Sequence, residues 1–176
     1  MKPRVCYLAL GSNMGDRLAN LRAAVAALRD AGLDIVDASS VYETTPVGGP
    51  EGQELYLNAV LAVKTDLGAR DLVDMALQIE GALGRTRGEK NGPRVIDIDL
   101  LLAGSETSGE PRATVPHPRM HERLFVLTPL REIARDMLHP ALKKTIDELF
   151  RECAVVSRER VRLFAPSRGH GGRSTW

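Results

Sequence analysis

Asp97 and Asp99 lie in the stretch Gly92-Pro93-Arg94-Val95-Ile96-Asp97-Ile98-Asp99-Leu100-Leu101-Leu102. A Gly-Pro turn followed by β-branched residues predicts a strand. Side chains alternate along a strand, so the two carboxylates share one face while Ile96, Ile98 and Leu100 share the other. Two carboxylates about 7 Å apart on one face repel, and an unpaired buried carboxylate is costly. A pair of hard divalent cations removes that conflict, because Mg²⁺ takes oxygen ligands and usually arrives with phosphates. Taken alone, the tripeptide describes the solvated face of an amphipathic strand equally well.

The neighbourhood tips the balance. Gly84 to Arg94 is a glycine-bounded loop carrying Arg85, Arg87, Lys90 and Arg94 against the single anion Glu89. Carboxylates for a metal beside arginines for phosphate are what a phosphoryl-transfer site needs. A second basic loop, Pro116-His117 with Arg112 and Arg123, follows the strand. The phosphate loop Gly-x-x-x-x-Gly-Lys-Ser/Thr is absent, and no Ser-His-acid or Cys-His arrangement is legible. The phosphate site is therefore built from arginines and metal.

The elements that must position these groups read as an α+β domain. Val5 to Leu10 is a buried strand ending at the polar turn Gly11-Ser12-Asn13, whose groups face either a ligand or only the turn itself. Asp16 to Ala31 is a packing helix on Leu18, Leu21, Val25 and Leu28, with Arg17, Arg22 and Arg29 turned to solvent. Ile35 to Thr44 and Tyr56 to Val63 form an antiparallel pair around the loop Thr45 to Gly52, a candidate lid. Asp66 to Leu83 is a second helix, buried through Leu72, Met75, Ala76, Ile79 and Leu83. Gly104 to Arg112 is a polar turn or hairpin. Thr128-Pro129 predicts the cap and first residue of a short helix to about Arg135. Thr145 to Glu148 is a capping box opening the last helix, and Arg160 to Phe164 alternates as a short strand.

The order β-α-β-β-α-β predicts a ferredoxin-like core, a mainly antiparallel sheet with helices packed on it as three layers, α/β/α. The first strand and the Asp97/Asp99 strand are expected at its centre, because their apolar runs are the most continuous. Residues 1–156 read as a single domain, with 157–176 a partly disordered extension. At 176 residues the chain is long enough to bury a core. The net charge of +1 gives no global reason to expect nucleic acid or an anionic membrane as partner. Cys6 and Cys153 share no metal-ligand spacing and read as buried or idle thiols. His121, His139 and His170 read as surface residues. No signal peptide or membrane-length apolar run is legible, so a cytoplasmic protein is expected.

Several motifs in order resemble the 6-hydroxymethyl-7,8-dihydropterin pyrophosphokinase family of folate biosynthesis. They are Ala9-Leu10-Gly11-Ser12-Asn13, Ser40-Val41-Tyr42-Glu43-Thr44, Tyr56-Leu57-Asn58-Ala59, Gly84-Arg85, Gly92 to Asp99, and Val115-Pro116-His117 with Arg123 and Phe125. The resemblance covers Val5 to about Phe150. It implies transfer of the pyrophosphoryl group of ATP to the pterin hydroxymethyl oxygen, giving AMP and the pterin diphosphate. It further implies that Asp97 and Asp99 hold two Mg²⁺ ions, with Arg85 and Arg94 as catalytic phosphate ligands.

By the same resemblance, Glu80, Ile98, Arg112, Thr114, His117 and Arg123 join Arg85 and Arg94 around the nucleotide. Thr44, Thr45, Pro46, Val47, Tyr56, Asn58, Asp97 and Phe125 bind the pterin, the aromatics by stacking. The implied partners are these small molecules, with neither nucleic acid nor membrane, and the implied state is a monomer. Two departures stand out: Asn91 replaces a tryptophan that some members carry before Gly-Pro-Arg, and Pro118 replaces a tyrosine after His117. A small RNA-binding domain of the same topology is the rival class. It predicts a clear basic excess and exposed aromatics on the middle strands, against a charge of +1 and 4% aromatic residues here.

Overall fold

The computed structural model describes residues 2–85, 92–165 and 176. In chain order the elements are β1 (Arg4–Ser12), α1 (Arg17–Asp30), β2 (Asp34–Ala38), β3 (Val41–Thr44), β4 (Tyr56–Thr65), α2 (Ala69–Ala82), β5 (Asp97–Ala103), α3 (Leu124–Ala134), α4 (Ile146–Val156) and β6 (Val161–Ala165). Among the described residues the six strands form one sheet in the order β5-β1-β4-β3-β6, with β2 also paired to β4. Every pairing is antiparallel. The predicted ferredoxin-like core is present.

Alternation along the strands divides the core between the two faces. Cys6, Leu8 and Leu10 of β1 join Leu57, Ala59 and Leu61 of β4 in a cluster with Leu21 and Leu28 of α1 and Leu72 and Ala76 of α2. Val60, Leu101 and Leu102 face the other way, onto Leu127 and Leu130 of α3 and Ile146 and Leu149 of α4. Helices thus cover both faces of the sheet, and the three layers follow.

Several expectations change in detail. The predicted strand 35–44 breaks in two at Ser39-Ser40. The Ser39 hydroxyl accepts from Val60 N–H at 2.9 Å, and Ser40 N–H and Oγ both donate to Glu132 of α3 at 2.8 Å. Ser39 N–H still donates to the Val60 carbonyl at 2.9 Å, and side chains take the other bonds there. Strand β5 lies at one end of the sheet, not at its centre; β1 and β4 occupy the middle. Its outer side is shielded by other groups, so its apolar run reflects cover rather than centrality: Ile98 N–H donates to Glu80 Oε1 of α2, and Leu101 C=O accepts from His117 N–H.

Helix α3 begins at Leu124, four residues before Thr128, and carries Pro129 inside it. Proline there lacks only the N–H that would reach the Phe125 carbonyl. Arg17 does not simply face solvent: its Nη1 pairs with Glu43 at 2.9 Å and donates to the Leu55 carbonyl at 2.7 Å. His139 is buried at 4% exposure, its Nδ1 accepting from Leu142 N–H. Cys6 and Cys153 are buried free thiols, and the capping box at Thr145 is present. The predicted C-terminal strand is β6. Of the segment expected to be disordered, 166–175 lie outside the described residues, as do Arg87, Lys90, Asn91 and His170.

Candidate active site

The register of three neighbouring strands assembles the site in rows. Gly11 on β1 stands opposite Asn58 on β4 and Asp97 on β5; Ala9 stands opposite Val60 and Asp99. Residues paired across a sheet project on the same face. Asn58 and the two aspartates therefore flank a middle strand that offers only glycine and alanine. A Cβ on Gly11 would lie 2.9 Å from Asn58 Oδ1 and 4.0 Å from Asp97 Cβ. The missing side chain opens a cleft floored by Ala9 and Gly11.

Around that floor the cleft gathers most of the residues nominated from sequence. Arg94, Asp97, Asp99 and Arg123 line its charged end; Thr44, Thr45, Pro46, Val47, Tyr56, Asn58 and Phe125 line the rest. Asn58 Nδ2 donates to Thr44 Oγ1 at 2.7 Å, which fixes the amide across β3 and β4. Tyr56 OH donates to the Gly92 carbonyl at 3.2 Å, tying the aromatic wall to the turn before Arg94. The Arg123 guanidinium lies over the Phe125 ring, 5.6 Å from its centroid.

The charged end is a network centred on Asp97. Arg85 Nη1 is 2.7 Å from Asp97 Oδ1, and Arg94 Nη1 is 2.5 Å from Oδ2. Arg85 also pairs with Glu80, which is only 2% exposed and accepts Ile98 N–H at 2.6 Å. Burial pushes the Glu80 carboxyl up to about 7, against the pull of the Ile98 bond and Arg85. Burial also works against the Arg85 charge, but Asp97 and Glu80 outweigh it and hold its pKa above the ordinary value. Burial first, and the charge of Asp97 second, raise the Asp99 carboxyl.

That donor set suits Mg²⁺, which is typically held by one or two carboxylates plus substrate phosphates rather than by an all-protein cage. No cluster of three or more His, Cys, Asp or Glu able to hold a metal occurs among the described residues.

The remaining nominees stand outside the cleft lining. His117 is held by its N–H bond to the Leu101 carbonyl at 2.8 Å; burial, then Arg123, lower its imidazole to about 4. Thr114 Oγ1 donates to the Glu110 carbonyl at 2.8 Å, and Arg112 is exposed. Four contributors were not nominated. Arg119 lines the cleft, Ala9 and Gly11 form its floor, and Asn13 anchors Arg94. Asn13 Oδ1 accepts Arg94 N–H at 2.7 Å and its own N–H donates to the Arg94 carbonyl at 3.1 Å. The polar turn 11–13 carried the signal for Asn13; only strand register could reveal the floor.

Residues 7–135 match the family model described as 7,8-dihydro-6-hydroxymethylpterin-pyrophosphokinase. The chain belongs to that family. A Bacillus subtilis 2-amino-4-hydroxy-6-hydroxymethyldihydropteridine pyrophosphokinase is 46% identical over 145 residues, 82% of this chain and 86% of the relative. The Haemophilus influenzae pyrophosphokinase of the same name is 40% identical over 149 residues, 84% and 92% of the two chains. Among solved structures, a Plasmodium falciparum HPPK-DHPS superposes with a TM-score of 0.65 at 15% identity. That match covers 86% of this chain and 45% of the other, and it supports the fold alone. No helix among the described residues is long and apolar enough to cross a membrane.

Proposed function

We propose that this pyrophosphokinase transfers the pyrophosphoryl group of ATP to the hydroxymethyl oxygen of 6-hydroxymethyl-7,8-dihydropterin, with the cleft over Gly11 as its active site. The hydroxyl oxygen bonds to the β-phosphorus, the bond from that phosphorus to the α–β bridging oxygen breaks, AMP leaves with the bridging oxygen, and the hydroxyl proton is released. The observation that carries this reading is the row Asn58–Gly11–Asp97. It sets a hydrogen-bonding group for a planar heterocycle one strand away from each side of the floor that ends at a carboxylate for phosphate-bound metal.

Tyr56 and Phe125 supply aromatic faces for the pterin, while Asn58 and the backbone from Thr44 to Val47 read its polar edge. Asp97 and Asp99 would hold two Mg²⁺ ions, which when bound neutralise charge on the transferring phosphates. Arg85 and Arg94 exchange carboxylate partners for phosphate oxygens, with bidentate geometry suited to both. Arg123, His117, Thr114, Arg112, Ile98 and Glu80 attend the nucleotide. Neutral His117 offers a nitrogen acceptor or an N–H donor without adding charge. The working protein is a cytoplasmic monomer.

Product analysis tests the reading. Incubation with ATP, Mg²⁺ and the reduced hydroxymethylpterin is expected to yield AMP and pterin diphosphate in equal amounts, and a chelator is expected to stop turnover. ADP as product, or turnover indifferent to chelator, contradicts it.

A further inference from the structure

We infer that the C-terminal segment Ser157–Ala165, beyond the residues matched by the family model, positions two parts of the pterin slot's lining through Glu159 and Arg160. The inference rests on the pterin reading of the cleft. A helix start leaves backbone N–H groups without intrahelical partners, and α3 has no side-chain cap from its own N-cap residue, Arg123. Glu159 supplies one from 34 and 35 residues away: Oε1 accepts Leu124 N–H at 3.1 Å and Oε2 accepts Phe125 N–H at 2.8 Å. A carboxylate here also complements the helix dipole. One of the two groups it holds is the backbone of the stacking aromatic.

The next residue grips a second part of the cleft lining. Thr45 N–H donates to the Arg160 carbonyl at 3.1 Å, and Arg160 N–H donates to Thr45 Oγ1 at 3.1 Å. Thr45 and its neighbours Thr44 and Pro46 line the cleft, as Phe125 does. Glu159 and Arg160 are adjacent, so both parts of the lining are tied to neighbouring residues of one segment.

Further contacts stop this bracket from sliding. Glu159 N–H donates to Ser157 Oγ at 3.1 Å, and Val161 pairs with Thr44 in the β3–β6 ladder. Arg162 joins Arg17 on the buried carboxylate of Glu43, and the Arg17 guanidinium lies 5.9 Å from the centroid of the Phe164 ring. These contacts reach the pterin side of the cleft. Among the described residues, the hydrogen bonds of Glu159 and Arg160 go to Ser157, Leu124, Phe125 and Thr45 and to no side chain assigned to metal or nucleotide, so they are positioning residues that act chiefly on one substrate.

Steady-state kinetics of full-length Glu159→Ala, Glu159→Gln and wild type, with both substrates varied, test this. Glu159→Ala is expected to raise KM for the hydroxymethylpterin roughly fivefold, the fold-change that the loss of a helix cap worth about 1 kcal/mol corresponds to. KM for ATP is expected to stay within about twofold, and Glu159→Gln, which keeps one acceptor oxygen, to recover part of the loss. Arg162→Ala, which leaves the Glu159 and Arg160 contacts in place, is expected to lower the melting temperature without splitting the two KM values. Equal effects of Glu159→Ala on both KM values, or none, overturn the inference. Failure of wild type to use the pterin at all overturns the substrate reading instead.

Discussion

Arg85 Nη1 lies 2.7 Å from Asp97 Oδ1, so an arginine assigned to phosphate rests on a carboxylate assigned to metal. Arg94 does the same from the other carboxylate oxygen. Opposite charges satisfy one another here; under the proposed assignment, binding of a metal–nucleotide complex would have both sides change partners together.

If Asp97 and Asp99 carry the metal, each is indispensable to chemistry and dispensable to folding. Asp97→Ala and Asp99→Ala are each expected to lower kcat at least ~100-fold, as loss of preorganised transition-state electrostatics does. Their thermal melts are expected to stay cooperative. Turnover like wild type in either variant removes that aspartate from the metal assignment.

The floor of the cleft makes a sharper steric prediction. Gly11→Ala would place a Cβ 2.9 Å from Asn58 Oδ1, on a side chain already fixed by its bond to Thr44. Asn58 must shift, and the pterin edge with it. Binding of hydroxymethylpterin, followed by calorimetry, is expected to weaken roughly tenfold, the scale of one displaced hydrogen bond. Unchanged pterin affinity contradicts the placement of Asn58.

Glu80 ties α2 to the outer edge of β5. Removing it leaves the Ile98 N–H buried without its acceptor and takes a partner from Arg85. Glu80→Ala is therefore expected to cost about 1–3 kcal/mol in urea unfolding, the price of an unsatisfied buried donor. An unchanged urea midpoint contradicts that role.

His117 gives the pH prediction. Burial, then Arg123, lower its folded pKa to about 4, below the ordinary value of about 6.5. Between those values the unfolded chain binds the extra proton and the folded chain does not. Its contribution to stability is thus complete above about pH 6.5 and lost progressively as pH falls toward about 4. An NMR titration is expected to place the His117 imidazole midpoint near 4; a midpoint at or above 6.5 contradicts its burial beside Arg123.

Local patterns were legible in the sequence and distant partners were not. The helical stripes of α1 and α2, the capping box at Thr145 and the shared face of Asp97 and Asp99 are all properties of neighbouring residues. The pairing of β3 with β4 followed from one connecting loop. What stayed hidden depends on residues far apart in the chain. The start of α3 is set by Glu159 rather than by Thr128, and Arg17 answers to Glu43 and not to its own helix. Strand β5 looked central because its apolar run is long, yet it lies at the sheet's end with Glu80 and His117 against its outer side. In the site, charged and aromatic residues announced themselves. Ala9 and Gly11, which matter by being small, became meaningful only through register.

The central claim is that two phosphoryl groups move together from ATP at this cleft. Turnover of ATP labelled at the β-phosphorus, with Mg²⁺ and the hydroxymethylpterin, tests it most directly. The predicted result is label in the pterin product and an equal amount of unlabelled AMP. Label retained in ADP, with only the γ-phosphoryl group on the pterin, would contradict it.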